Sequence, residues 1–183
     1  MKRSSNSGKN HKVIAYLKQI DFKADPDEFN SRLIIQKIVY LLILNGFNIR
    51  YNYGVPYFGR RGVYSKELAD DYCTHKHEFR ELITNYPLQK DEYVAMHEFR
   101  SIFDISIPLL EAGTTYAYFA YEKGIEPSEA YSTVKEIKSK YCTIYEIAIA
   151  VSNVKQFLFE PLEEDKRILE GEIAPWRVVG LNG

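Results

Sequence analysis

Residues 33–44 read Leu-Ile-Ile-Gln-Lys-Ile-Val-Tyr-Leu-Leu-Ile-Leu, and this run constrains the fold more than any other feature of the chain. Wound as a helix it is apolar on nearly every side, with a narrow polar seam at Arg32, Gln36 and Lys37. A helix greasy all round is stable in water only when other elements enclose it. It is shorter than the roughly 20 apolar residues a membrane span needs, and Gln36 and Lys37 interrupt it. The run therefore predicts a central core helix of a helical domain. Asp25-Pro26-Asp27-Glu28 supplies a start signal, with Asp25 as cap, Pro26 in the first turn and Glu28 at the capping-box position. Gly46 supplies a left-handed stop after Asn45.

The rest of the chain repeats the helical pattern. Val13, Ile14, Leu17 and Ile20 predict a first helix over about 10–20. Ser65 is read as the cap of a third helix reaching about Tyr86, with Leu68, Tyr72, Phe79, Leu82 and Ile83 facing in. A fourth covers about 88–103, and a fifth starts at Pro108 and ends near Gly124. A sixth runs from Pro127 to about Lys140. Thr143 and Glu146 make a capping box for a seventh, which Pro161 ends. His-Glu-Phe-Arg occurs at both 77–80 and 97–100, without a longer repeat around it. Between the second and third helices, residues 47–64 are Tyr-rich with Gly54, Pro56, Gly59 and Gly62, which predicts a small β-hairpin or wing-like insertion. The expected fold is mainly α: a single domain of about seven helices over 10–159 with that insertion after the second. Residues 1–9 are read as a flexible leader. Residues 160–183 are read as an acidic tail whose Trp176, Val178 and Val179 suggest that it docks back or adds an edge strand.

The chain's 183 residues are 45% apolar and 27% charged, which excludes an extended disordered protein or a strongly basic chromatin-type binder. Cys73 and Cys142 form no CxxC pattern and no apolar leader is visible, so a reducing cytoplasmic setting is expected. The net charge of −1 hides an asymmetry: residues 1–66 hold 12 basic and 4 acidic side chains, a balance of +8, against −9 for 67–183. An anionic partner for the N-terminal part is one reading. Attraction between the two parts, within the fold or across a homodimer, is the other.

Tyr51, Tyr53, Tyr57, Phe58 and Tyr64 interleave with Arg50, Arg60 and Arg61. Aromatics stack on bases and arginines pair with phosphates, so Arg50, Tyr53, Tyr57, Arg60, Arg61, Tyr64 and Lys66 are candidate contacts for a nucleic acid or a partner protein. The plainer reading packs alternate tyrosines on one hairpin face and leaves the arginines solvated. A helix-turn-helix is disfavoured, because the 47–64 gap is far too long and the third helix carries Glu67, Asp70, Asp71, Glu78 and Glu81. Cys73, His75 and His77, with His97 and His11 elsewhere, lack the second ligand pair of a structural zinc site. No GxSxG elbow, P-loop, GxGxxG or HExxH occurs, and the reading names no cofactor and no catalytic or metal-binding residue.

The stretch Ser31-Arg32-Leu33-Ile34-Ile35-Gln36-Lys37-Ile38-Val39-Tyr40-Leu41-Leu42, followed by tyrosines and then Gly62-Val63-Tyr64-Ser65-Lys66-Glu67-Leu68, resembles the YwgA-like uncharacterised proteins of bacteria and archaea. More distantly it is similar to the Panacea-type (SocA-like) antitoxin domains. The resemblance covers about residues 30–72, and Val63 stands where that pattern has proline. It implies a mainly helical fold, sometimes winged-helix-like, and binding to another protein with DNA association alongside. Independently of it, a polar pair on a buried helix is expected to organise the neighbouring loop, with Gln36 and Lys37 bonding backbone around Gly62 to Ser65. The leading expectation is a non-enzymatic regulatory or protein-interaction module, antitoxin- or defence-related. The alternatives are a nucleic-acid binder using the basic Tyr/Arg loop, and an unrecognised enzyme.

Overall fold

Eight α-helices arranged around one apolar core make up the described residues of the computed structural model, 8–55 and 62–159. They are α1 (Lys9–Gln19), α2 (Phe29–Leu44), α3 (Lys66–Thr74), α4 (Lys76–Glu81), α5 (Lys90–Ile102), α6 (Ile107–Ala117), α7 (Pro127–Lys138) and α8 (Ile144–Leu158). The fold is mainly α. No helix is long and apolar enough to cross a membrane among these residues. Most of the 1–9 leader and all of the 160–183 tail lie outside the described residues. Lys9, at the end of that leader, is already helical, and its Nζ meets Glu67 Oε1 at 2.7 Å.

α2 packs on α6, and α6 packs in turn on α8. Gly113 permits the second contact: a Cβ there would stand 3.0 Å from Val154 Cγ2 and 3.3 Å from the Ala150 carbonyl. At the far end of α8, Phe157 meets Phe99 and Phe103 edge-on, with centroids 5.3 and 5.6 Å away. α2 ends in a Schellman motif: Gly46 at φ +93° bonds Ile43 O, and Phe47 N bonds Leu42 O. The Thr143–Glu146 capping box opens α8, and Pro108 and Pro127 sit in the first turns of α6 and α7.

Four features differ from the sequence expectations. The β-hairpin is not formed: the described part of 47–64 holds one antiparallel bridge, Gly54 with Tyr64, and no strand. The groups a ladder would need are engaged elsewhere, because Ser65 N and O pair with Gln36 and Val63 O accepts from Lys37. The third helix is two helices, broken at His75, and the second of them carries Lys76 to Asp27 and Arg80 to Asp25 and Asp27. Asp25-Pro26-Asp27-Glu28 is accordingly a turn before α2, whose cap position is Glu28. The fifth helix stops at Ala117 and continues as a π-helical turn, Tyr118–Glu122, before Gly124 at φ +66°.

Candidate functional site

Gln36 and Lys37 are two of the largest polar side chains in the core, and both are directed at the same piece of backbone. Gln36 Nε2 donates to Ser65 O at 2.8 Å, while Ser65 N donates to Gln36 Oε1 at 2.9 Å. Lys37 is 1% exposed, and its Nζ donates to Val63 O at 3.0 Å. Gly62, at φ +55°, lies so close that a Cβ would stand 3.2 Å from Lys37 Nζ. Ser65 Oγ accepts from Leu68 N at 3.3 Å and so caps α3. One helix thus fixes the loop and the start of the next helix.

Lys37 belongs to a buried charge cluster. Burial pushes its ammonium pKa down to about 7, against a raising influence from Glu111 and a further lowering one from Lys138. Lys138 Nζ stands 3.5 Å from Glu111 Oε2, in an interior where charges persist only with partners. Glu111 Oε1 is buried and makes no hydrogen bond among the described residues.

Beside this cluster the N-terminal half of α2 borders two hollows. One, of about 450 Å³, is walled by Phe29, Asn30, Leu33, Ile107, Pro108, Glu111, Tyr141 and Cys142. The other, of about 240 Å³, is walled by Phe29, Arg32, Leu33, Gln36, Tyr64 and Tyr72. Phe29 and Leu33, one turn apart, form the wall common to both. Phe29 is 54% exposed although α2 is the most apolar helix of the N-terminal half. Tyr141, which walls the larger hollow, is exposed, as are Ile144 and Tyr145 just after it in the chain. Burial also raises the Cys142 thiol pKa, so this group of the larger hollow stays protonated.

The remaining sequence candidates are dispersed. Tyr57, Arg60 and Arg61 lie outside the described residues. Arg50 is exposed, and Lys66 pairs with Asp70 at 2.7 Å. Tyr53 turns inward, donating from its hydroxyl to Gln36 O at 3.0 Å with its ring 5.1 Å from that of Tyr40. Tyr64 packs on the core and walls the smaller hollow. Cys73, His75, His77 and His97 do not converge, and no group of three or more potential ligands is arranged for a metal among the described residues. Phe29, Glu111, Tyr141 and Cys142 escaped sequence reasoning. Glu111 had a signal, as the one charge between Asp104 and Glu122. No family model, curated protein or solved structure matches this chain.

Proposed function

We propose that this chain is a non-enzymatic protein-interaction module, regulatory in the manner of the antitoxin-type domains it resembles, that holds a segment of a partner protein over the N-terminal half of α2. The observation that carries this reading is the pair of hollows sharing Phe29 and Leu33, with a large aromatic left half in water between them. A contiguous apolar patch with a polar rim is the usual mark of a protein contact. Nucleic-acid binding draws less support. Lys9 and Lys66 already pair with Glu67 and Asp70, Lys37 is buried, and Lys12 donates to a backbone carbonyl.

A photo-crosslinking amino acid at position 29 of the full chain, compared in cells with one at exposed Lys18 on α1, tests the reading. The expected result is a protein adduct specific to position 29. The purified partner should then bind Phe29→Asp and Tyr141→Asp at least tenfold more weakly than wild type. Equal adducts from both positions, or undiminished binding by the variants, would overturn it.

A further inference from the structure

The two hollows differ in the polar group each presents, and the difference specifies an occupant. In the smaller one stands Arg32. Its Nη1 donates to Pro26 O and Asp27 O, both at 3.0 Å, while Nε and Nη2 make no hydrogen bond among the described residues. Its guanidinium carbon lies 6.0 Å from the Phe29 ring centre, which holds the cation at the hollow's edge. An arginine with an open N–H edge is the side chain best shaped for a carboxylate. In the larger hollow stands Glu111, 8% exposed, with Oε1 unpartnered among the described residues. An unpaired buried acceptor is costly and is relieved by any donor that reaches it. The donor has to be neutral, because Lys138 already supplies a cation to the same carboxylate and Lys37 lies close enough to feel both charges.

Between these groups the wall is apolar, made by Phe29 and Leu33. Adjacent hollows on either side of a ridge suit an extended polypeptide, whose same-side side chains recur every second residue. We infer that the groove recognises an extended partner segment that places an acidic side chain on Arg32, an apolar side chain over Phe29 and Leu33, and a neutral hydrogen-bond donor in the hollow containing Glu111. The inference rests on the protein-interaction reading above and names the chemistry of the partner. It uses opposite polar ends to fix the direction of the bound segment, so a reversed sequence would set the acid beside Glu111.

Panning a phage-displayed random nine-residue library on the full chain tests it. Enriched peptides should combine an acidic residue with Asn, Gln, Ser, Thr, Tyr or Trp across an apolar residue. For a synthetic copy, fluorescence anisotropy should show about tenfold weaker binding to Arg32→Glu, recovered when the peptide acid is changed to Lys. Replacing the peptide's donor residue by Leu should weaken binding to wild type by about the same factor. Peptides indifferent to Arg32→Glu but lost on Phe29→Asp would overturn this inference while leaving the interaction reading standing. Peptides indifferent to both substitutions would overturn the inference and count against the groove as a contact surface. A library that yields no enriched peptide also overturns the inference, and the crosslinking experiment then decides the broader reading by itself.

Discussion

Gln36 and Ser65 exchange two hydrogen bonds, 2.8 Å from Nε2 to the carbonyl and 2.9 Å from the amide to Oε1, so one side chain completes both backbone groups of a residue 29 positions away. The pair is buried, as is the Lys37–Val63 bond beside it. The connection between α2 and α3 is therefore pinned by side chains of α2 where a hairpin would have used strand-to-strand bonds.

Gln36→Leu keeps the volume and removes both bonds between Gln36 and Ser65, while Ser65 O keeps its bond from Ala69 N at 3.1 Å. The buried Ser65 N–H is then left unsatisfied, at about 1–3 kcal/mol. We expect the variant to lose about 1–3 kcal/mol of unfolding free energy in urea, with the start of α3 losing amide-exchange protection first. A loss below about 0.5 kcal/mol would mean that the loop is held without this pair.

Lys37 gives the protein a pH dependence of unusual sign. Its folded pKa is about 7, against the ordinary 10.5, so between these values the unfolded chain binds the proton more readily. Stability therefore rises with pH across that window, by about 2 kcal/mol from pH 7 to 9. Tyr16, Tyr40 and Tyr51 act oppositely. Burial and the carboxylates of Glu92, Glu122 and Asp71 raise their pKa above the ordinary 10.0, so folded tyrosines keep protons that unfolded ones lose. The expected optimum is near pH 10. Urea titrations from pH 7 to 10.5 should show the rise in wild type and a flat profile over pH 7–9 in Lys37→Met. A wild type whose stability falls from pH 7 to 9 would contradict the assignment.

Elements carrying their own termination chemistry were legible from sequence: Gly46 after α2, Ser65 before α3, and Thr143 with Glu146 before α8. Features decided by distant partners were not. Asp25 looks like a helix cap, yet Arg80 takes up its carboxylate, Lys76 and Arg80 take up that of Asp27, and the Arg80 hydrogen bond is the main cause holding Asp25's pKa low. The same contacts accompany the break at His75, which no local residue signals. The basic excess of 1–66 resolves only in part, through Lys9 with Glu67 and Lys66 with Asp70. Of the site, Gln36 and Lys37 stood out as polar residues in an apolar helix. Glu111 has the same signature in α6, but its placement beside Lys138 depends on how α6 and α7 pack.

Gly113 tests the α6–α8 contact. Alanine in a helix interior ordinarily adds about 1 kcal/mol relative to glycine. Here the new methyl would meet Val154 Cγ2 at 3.0 Å and the Ala150 carbonyl at 3.3 Å. Backbone yields less readily than a side chain, so overpacking should outweigh propensity. We expect Gly113→Ala to lose about 1–3 kcal/mol and Gly113→Ala/Val154→Ala to recover part of it. A stabilised Gly113→Ala would show that the two helices separate easily.

Gly62 and Gly124 separate backbone strain from crowding. Both sit in the left-handed region, at φ +55° and +66°, so alanine at either place incurs a similar conformational cost of about 1 kcal/mol. Only at Gly62 does the added Cβ meet anything, Lys37 Nζ at 3.2 Å with Thr115 Oγ1 at 3.5 Å beyond it. Lys37 is not free to withdraw, because its ammonium is hydrogen-bonded to Val63 O. Gly62→Ala should therefore be less stable than Gly124→Ala by about another 1 kcal/mol. Displacing the ammonium from that carbonyl also weakens what holds the proton in the folded state. The rise in stability between pH 7 and 9 should consequently begin at lower pH in Gly62→Ala and stay unchanged in Gly124→Ala. Equal losses in the two variants, with identical pH profiles, would show that the loop moves aside without disturbing Lys37.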